Sequence, residues 1–95
     1  MSLTTVYDHH GGALYIRLSG NRISRSVEVD AGVSVVDLDS EGQVVGIEVL
    51  DASGDFGLPR VAARFGLMET LGALQEAAAR AVFEDLATGP TNEEN

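Results

Sequence analysis

The residues whose types and spacing could do chemistry lie in one run, "DLDSEGQVVGIE", from Asp37 to Glu48. The run fits the calcium-loop pattern D-x-[DN]-x-[DN]-G-x₅-E, with Glu41 standing at the fifth place. In such a loop the first, third, fifth and twelfth residues turn oxygens onto one ion, and the glycine makes the sharp bend. The flanks argue for another structure. "VSVV" before Asp37 is β-branched, and "VVGIEVL" after Gly42 reads as a strand. Asp39-Ser40-Glu41-Gly42 has hairpin-turn chemistry, an acid to open it and a glycine free to take positive φ. Glu48 then stands about 13 Å from the turn at ~3.3 Å per residue, too far to share an ion. We therefore expect a hairpin and no metal site. Asp37, Asp39 and Glu41 remain surface acids that at most hold a cation weakly.

His9-His10 is the other pair with metal or acid–base chemistry. Adjacent histidines on an extended chain point to opposite faces, so we expect a solvated loop with Asp8 beside it. No serine or threonine has the elbow or triad spacing of a nucleophile. Neither G-x-G-x-x-G nor G-K-[ST] appears, so nucleotide binding lacks support. Cysteine is absent, which removes disulfides, zinc–thiolate sites and thiol catalysis. We expect no catalytic residues and no cofactor.

The elements that carry these residues change character midway. "TVYD" (Thr5–Asp8), "ALYIRL" (Ala13–Leu18), "ISRSVEVD" (Ile23–Asp30), "VSVVDLD" (Val33–Asp39) and "VVGIEVLD" (Val44–Asp51) read as strands. Leu14, Ile16 and Leu18 share one face of the second, and Ile23, Val27 and Val29 one face of the third. Val45, Ile47 and Val49 point inward on the fifth. The fourth has a phase conflict, Val33 and Val35 against Val36 and Leu38, which burial on both faces or a bulge near Val35 would resolve. Brief connectors imply antiparallel neighbours. From Arg60 to Phe65 we expect a short helical turn broken by Gly66. From Met68 to Leu86 a helix presents Leu71, Leu74, Ala78, Val82 and Leu86 as one stripe. The expected fold is α+β: an antiparallel β-meander of four to five strands, followed by one or two C-terminal helices packed on one face. Residues 1–4 read as a leader, 5–87 as a single domain and 88–95 as a disordered acidic tail.

With 95 residues, 44% hydrophobic, the chain is long enough for one modest core. No apolar run approaches the ~20 residues that span a bilayer, and no signal peptide opens the chain, so the expected location is cytoplasmic, away from membranes. Fifteen acids face six bases, all arginine, for a net charge of −9. That sign repels phosphate backbones and excludes nucleic acid as a direct partner.

Tyr15, Arg17, Glu28 and Glu48 should lie on the sheet face away from the helices. There they either form cross-strand salt bridges or make a contact surface. Val35, Val44 and Leu50 would make that face partly apolar. The alanines of the helix cover the core or, through Ala73, Ala77 and Ala81, form a homodimer seam.

With the strands laid out, "YDHHGGALYIRLS", "VEVDAGVSVVDLD" and "GQVVGIEVLDAS" resemble the small prokaryotic proteins of domain of unknown function 2283, over about half the chain, Tyr7 to Ser53. The resemblance implies a compact antiparallel sheet followed by helix, with no activity or catalytic residues to carry over. It implies that the D-L-D-x-E-G-x-V-V-G-I-E run is an ordinary hairpin. Members usually show a proline and acidic residues where His9 to Gly12 stand here. Some members are encoded beside small toxin-like domains, so the resemblance implies an antitoxin or neutralising partner role. We therefore expect a non-enzymatic protein-interaction module that binds a basic partner. The alternative is a small ligand-binding domain or enzyme with its pocket between sheet and helix.

Overall fold

Alternation in the first half and three- to four-residue spacing in the second build two layers, a sheet and a helical cover. The computed structural model describes residues 3–29, 32–50 and 55–87, the side chains of 85–87 excepted. The strands are β1 (Thr4–Asp8), β2 (Ala13–Arg17), β3 (Arg25–Glu28), β4 (Ser34–Leu38) and β5 (Val44–Val49). Two helices follow, α1 (Leu58–Phe65) and α2 (Leu71–Ala87), joined through a 3₁₀ turn at Met68–Thr70. The fold is α+β with an antiparallel sheet, as expected. The stretch 88–95 and the first two residues of the expected leader lie outside the described residues.

The strand order is β1-β2-β5-β4-β3, so β5 inserts between β2 and β4. A chain of neighbour-to-neighbour hairpins would have set β3 beside β2. Instead Leu18–Ser24 runs past the ends of β5 and β4, three strand spacings or about 14 Å. Seven residues reach that far, because each extends by up to ~3.3 Å. Three backbone hydrogen bonds tie this connector down: the N–H groups of Leu18 (2.8 Å) and Ser19 (3.2 Å) donate to Val45 O, and that of Ser24 (2.7 Å) to Leu38 O. Ile23 was expected inside the third strand. It sits in the connector and is 41% exposed, because pairing with β4 starts only at Arg25.

The phase conflict in β4 resolves on its partner. Ser34, Val36 and Leu38 are buried, while Val35 and Asp37 point outward. Asp37 pairs with Gly46 and Leu38 with Val44, so Val45 is the extra residue of a bulge opposite the Asp37–Leu38 step. The irregularity lies there rather than near Val35. Ser34 Oγ, fully buried, has no hydrogen-bond partner among the described residues.

Asp55 starts α1: its carboxylate accepts the Gly57 N–H (2.9 Å) and its carbonyl the Leu58 N–H (3.2 Å). Pro59 sits in the first turn, and Gly66, at φ 72°, ends the helix while donating its N–H to Ala62 O. α1 thus begins two residues before the expected Arg60. Leu14, Ile16, Val36, Leu38, Ile47 and Val49 from the sheet meet Leu58, Val61, Leu74 and Ala78 from the helices in one core. Leu74 and Ala78 of the expected stripe are fully buried; Leu71 is partly so against the same core. The side chain of Leu86 lies outside the described residues. Among the described residues no helix is long and apolar enough to cross a membrane.

Candidate functional site

Register alone brings three of the four expected surface residues into line. Tyr15 pairs with Glu48, Glu48 with Val35 and Val35 with Glu28, one row across β2, β5, β4 and β3. Val6 extends the row on β1 and is 69% exposed. Arg17 belongs to the next row, with Gly46, Asp37 and Ser26. Both rows face away from the core, and neither helix covers them.

What links these residues differs from the salt bridges expected. Tyr15 lies flat over Gly46, where any Cβ would collide with the tyrosine ring and hydroxyl. That gap lets the Tyr15 hydroxyl donate to Asp37 Oδ2 at 2.9 Å, while Ser26 Oγ donates to Asp37 Oδ1 at 2.6 Å. A hydrogen-bonded chain therefore crosses four strands on a single carboxylate. Burial, then the hydrogen bond to Asp37, pushes the Tyr15 phenol up to about 12. At neutral pH it is a fixed donor and no nucleophile. Arg17 turns to the connector, its Nε donating to Ser19 O (2.7 Å) and its Nη2 to Asn21 O (3.0 Å). Its role is to hold that loop, since the strand register offers it Gly46 and Thr4 rather than an acid.

Two acids of the calcium-like run, Asp37 and Asp39, are acceptors for protein donors. Asp39, 8% exposed, takes the N–H groups of Glu41 and Gln43 on Oδ1, each at 2.9 Å, and Asn21 Nδ2 on Oδ2 at 2.9 Å. These contacts, led by the Gln43 N–H and the Asn21 amide, hold its carboxyl below the usual carboxylate range. The hairpin is as expected; the long-range bond to Asn21 is not deducible from the turn sequence.

At the β1–β2 turn, Asp8 Oδ1 accepts the His10 N–H at 3.0 Å, and Gly12 N–H bonds Asp8 O at 2.7 Å. The His10 N–H chiefly lowers the Asp8 carboxyl below its ordinary value. The chain is not extended here, and the two imidazole rings tilt together with centroids 4.4 Å apart. Opposed histidines, the expectation for a strand, do not apply to a turn. Among the described residues no group of three or more His, Asp or Glu is arranged to hold a metal ion.

The described residues also form concavities. The connector and the β4–β5 turn enclose a cleft of about 460 Å³ lined by Asn21, Arg22, Ile23, Ser24, Asp39 and Glu41, among others. Between β1 and α2, where sheet meets helix, runs a groove of about 220 Å³. Of the residues that shape the outer face, Gly46, Asp37 and Ser26 were not singled out for it from sequence. One signal was available: an isolated glycine within a strand pattern marks a place where another group approaches closely.

A family model described as protein of unknown function (DUF2283) matches residues 5–53, just over half of the 95-residue chain, and takes in all five strands but for Thr4 at the start of β1. No curated protein and no solved structure matches the chain.

Proposed function

The chain belongs to the DUF2283 family, and from that premise we propose that it is a non-enzymatic interaction module whose outer sheet face receives a basic protein partner, in an antitoxin-like manner. One observation carries the reading. The uncovered face presents Asp8, Glu28, Asp37 and Glu48 against a single base, Arg17, whose guanidinium is already engaged with loop carbonyls. Val6 and Val35 supply apolar area among the acids, and the chain's net charge of −9 extends the field beyond contact distance. Complementary potentials of this kind speed encounter and reject wrong partners. The Tyr15–Asp37–Ser26 chain holds the face rigid, so little ordering is lost on binding.

The test is a double charge reversal, Glu28→Lys with Glu48→Lys. The untagged protein should co-purify from its native lysate with a stoichiometric basic protein, released by salt and lost in the variant. A partner that survives the reversal, or no basic partner at all, overturns the proposal. The competing reading as a ligand-binding domain or enzyme, expected to have its pocket between sheet and helix, meets there a groove of about 220 Å³, whereas the larger cleft of about 460 Å³ lies beside Asp39 between the connector and the β4–β5 turn. A melting shift of several degrees in a small-molecule screen, abolished by Ile23→Asp, would favour it.

A further inference from the structure

The two edges of the sheet are built differently. β3 is four residues long, carries Arg25 and Glu28, and follows Arg22 closely. Short length and charge are the usual means of keeping an edge from pairing with another chain. β1, "TTVYD", has five residues, no base and no proline, and its only charge is at its end, Asp8. At its centre Val6 is 69% exposed. Beside this edge lies the groove of about 220 Å³, whose walls come from the N-terminal segment and α2: Leu3 and Thr5 on one side, and on the other Ala73, Ala77 and Ala81 set among Glu76, Arg80 and Glu84.

We propose that β1 is a pairing edge for a second copy of this chain, giving a dimer with one continuous ten-stranded sheet and α2 packed on its counterpart. A two-fold axis through Val6, perpendicular to the sheet, sets Thr4 opposite Asp8, Thr5 opposite Tyr7 and Val6 opposite Val6. Along the paired strands no like charges face each other. The same axis reverses the helices and brings them together. A helix seated between β1 and β2 stands about one strand spacing, ~4.8 Å, behind the new seam. Two such helices lie about 10 Å apart, the ordinary packing distance. Ala73, Ala77 and Ala81 allow that approach, and the reversal sets each copy's Arg80 beside the other's Glu76. In the single chain these two residues already pair with each other at 2.9 Å, an exposed contact that can be shared across the seam.

This edge borders the acidic face and shares Val6 and Asp8 with it, but edge-to-edge pairing leaves the outward side of both sheets uncovered, and salt separates the two ideas. Two copies of charge −9 repel, so screening tightens the dimer, whereas it loosens a complex with a basic partner. Sedimentation of the full chain should show twice the monomer mass, with association strengthening as salt rises. Val6→Lys sets two ammonium groups face to face, and Ala77→Arg fills the groove. Each should weaken the dimer roughly tenfold or more while circular dichroism of the dilute protein stays unchanged. Glu28→Lys with Glu48→Lys should leave the dimer intact. A chain that is monomeric at every concentration and salt overturns the proposal, as does a dimer indifferent to both Val6→Lys and Ala77→Arg.

Discussion

At the β1–β2 turn Asp8 accepts a backbone N–H from two residues on, and at the β4–β5 turn Asp39 does the same. Up to that point the two turns are alike. They part in what the topology carries past them. Nothing described crosses the first, and the Asp8 side chain is 60% exposed. The second lies under the connector that takes the chain from β2 to β3, and Asp39 binds Asn21 of that connector as well as its own turn. One local motif is therefore a turn closure in one place and a clasp between distant segments in the other. The strand order, not the turn sequence, decides which.

Asp39→Ala should break the contrast most severely. It leaves the Glu41 and Gln43 N–H groups and the Asn21 amide without their acceptor, and the melting temperature should fall by roughly 10 °C or more. Gly46→Ala comes next. Its methyl must displace the Tyr15 ring, and a fall of roughly 5–10 °C is expected. The same variant should move the phenol absorbance transition from about 12 down towards its ordinary value. Tyr15→Phe removes one hydrogen bond and should cost about 5 °C. Because the folded phenol is raised, its contribution is complete below pH 10 and is lost as pH climbs towards about 12. Tyr15→Phe should therefore flatten the alkaline limb of the stability curve.

Asp8→Ala should cost least, under about 3 °C, since the turn it closes is local and exposed. Acid sharpens the pairing. Both carboxyls are lowered in the folded protein, so their contributions are present above the ordinary carboxylate pKa and vanish as pH falls through the folded values. Thermal melts across that range should lose more acid dependence in Asp39→Asn than in Asp8→Asn. Equal losses would mean that the connector contact adds nothing.

Much of this architecture is readable from side-chain period. Leu14 with Ile16, and Val45 with Ile47 and Val49, alternate because their strands bury one face, and Leu74 with Ala78 follows helical spacing. What escapes that reading is whatever depends on two distant segments meeting. Strand order is one case, because a seven-residue connector is long enough to skip two strands. Ile23 is another: it keeps strand spacing with Val27 yet falls where no partner strand reaches it. The outer-face chain needs Tyr15, Asp37 and Ser26 from three strands, and only Gly46 hints at it in the sequence. The histidine pair lies in the exposed turn expected of it, and only the opposed placement of its rings, a strand geometry, does not apply there.

The insertion of β5 between β2 and β4 has a consequence for how the chain assembles. During synthesis β2 emerges with only β1 to pair with, and its other ladder waits until β5 follows from the far side of β3 and β4. The β4–β5 hairpin, closed by the Asp39 turn, is the most local pairing available to β5 and is expected to nucleate folding, with the N-terminal hairpin joining later across the longer loop. Substitutions in that hairpin should slow refolding, whereas those in β1 should chiefly speed unfolding.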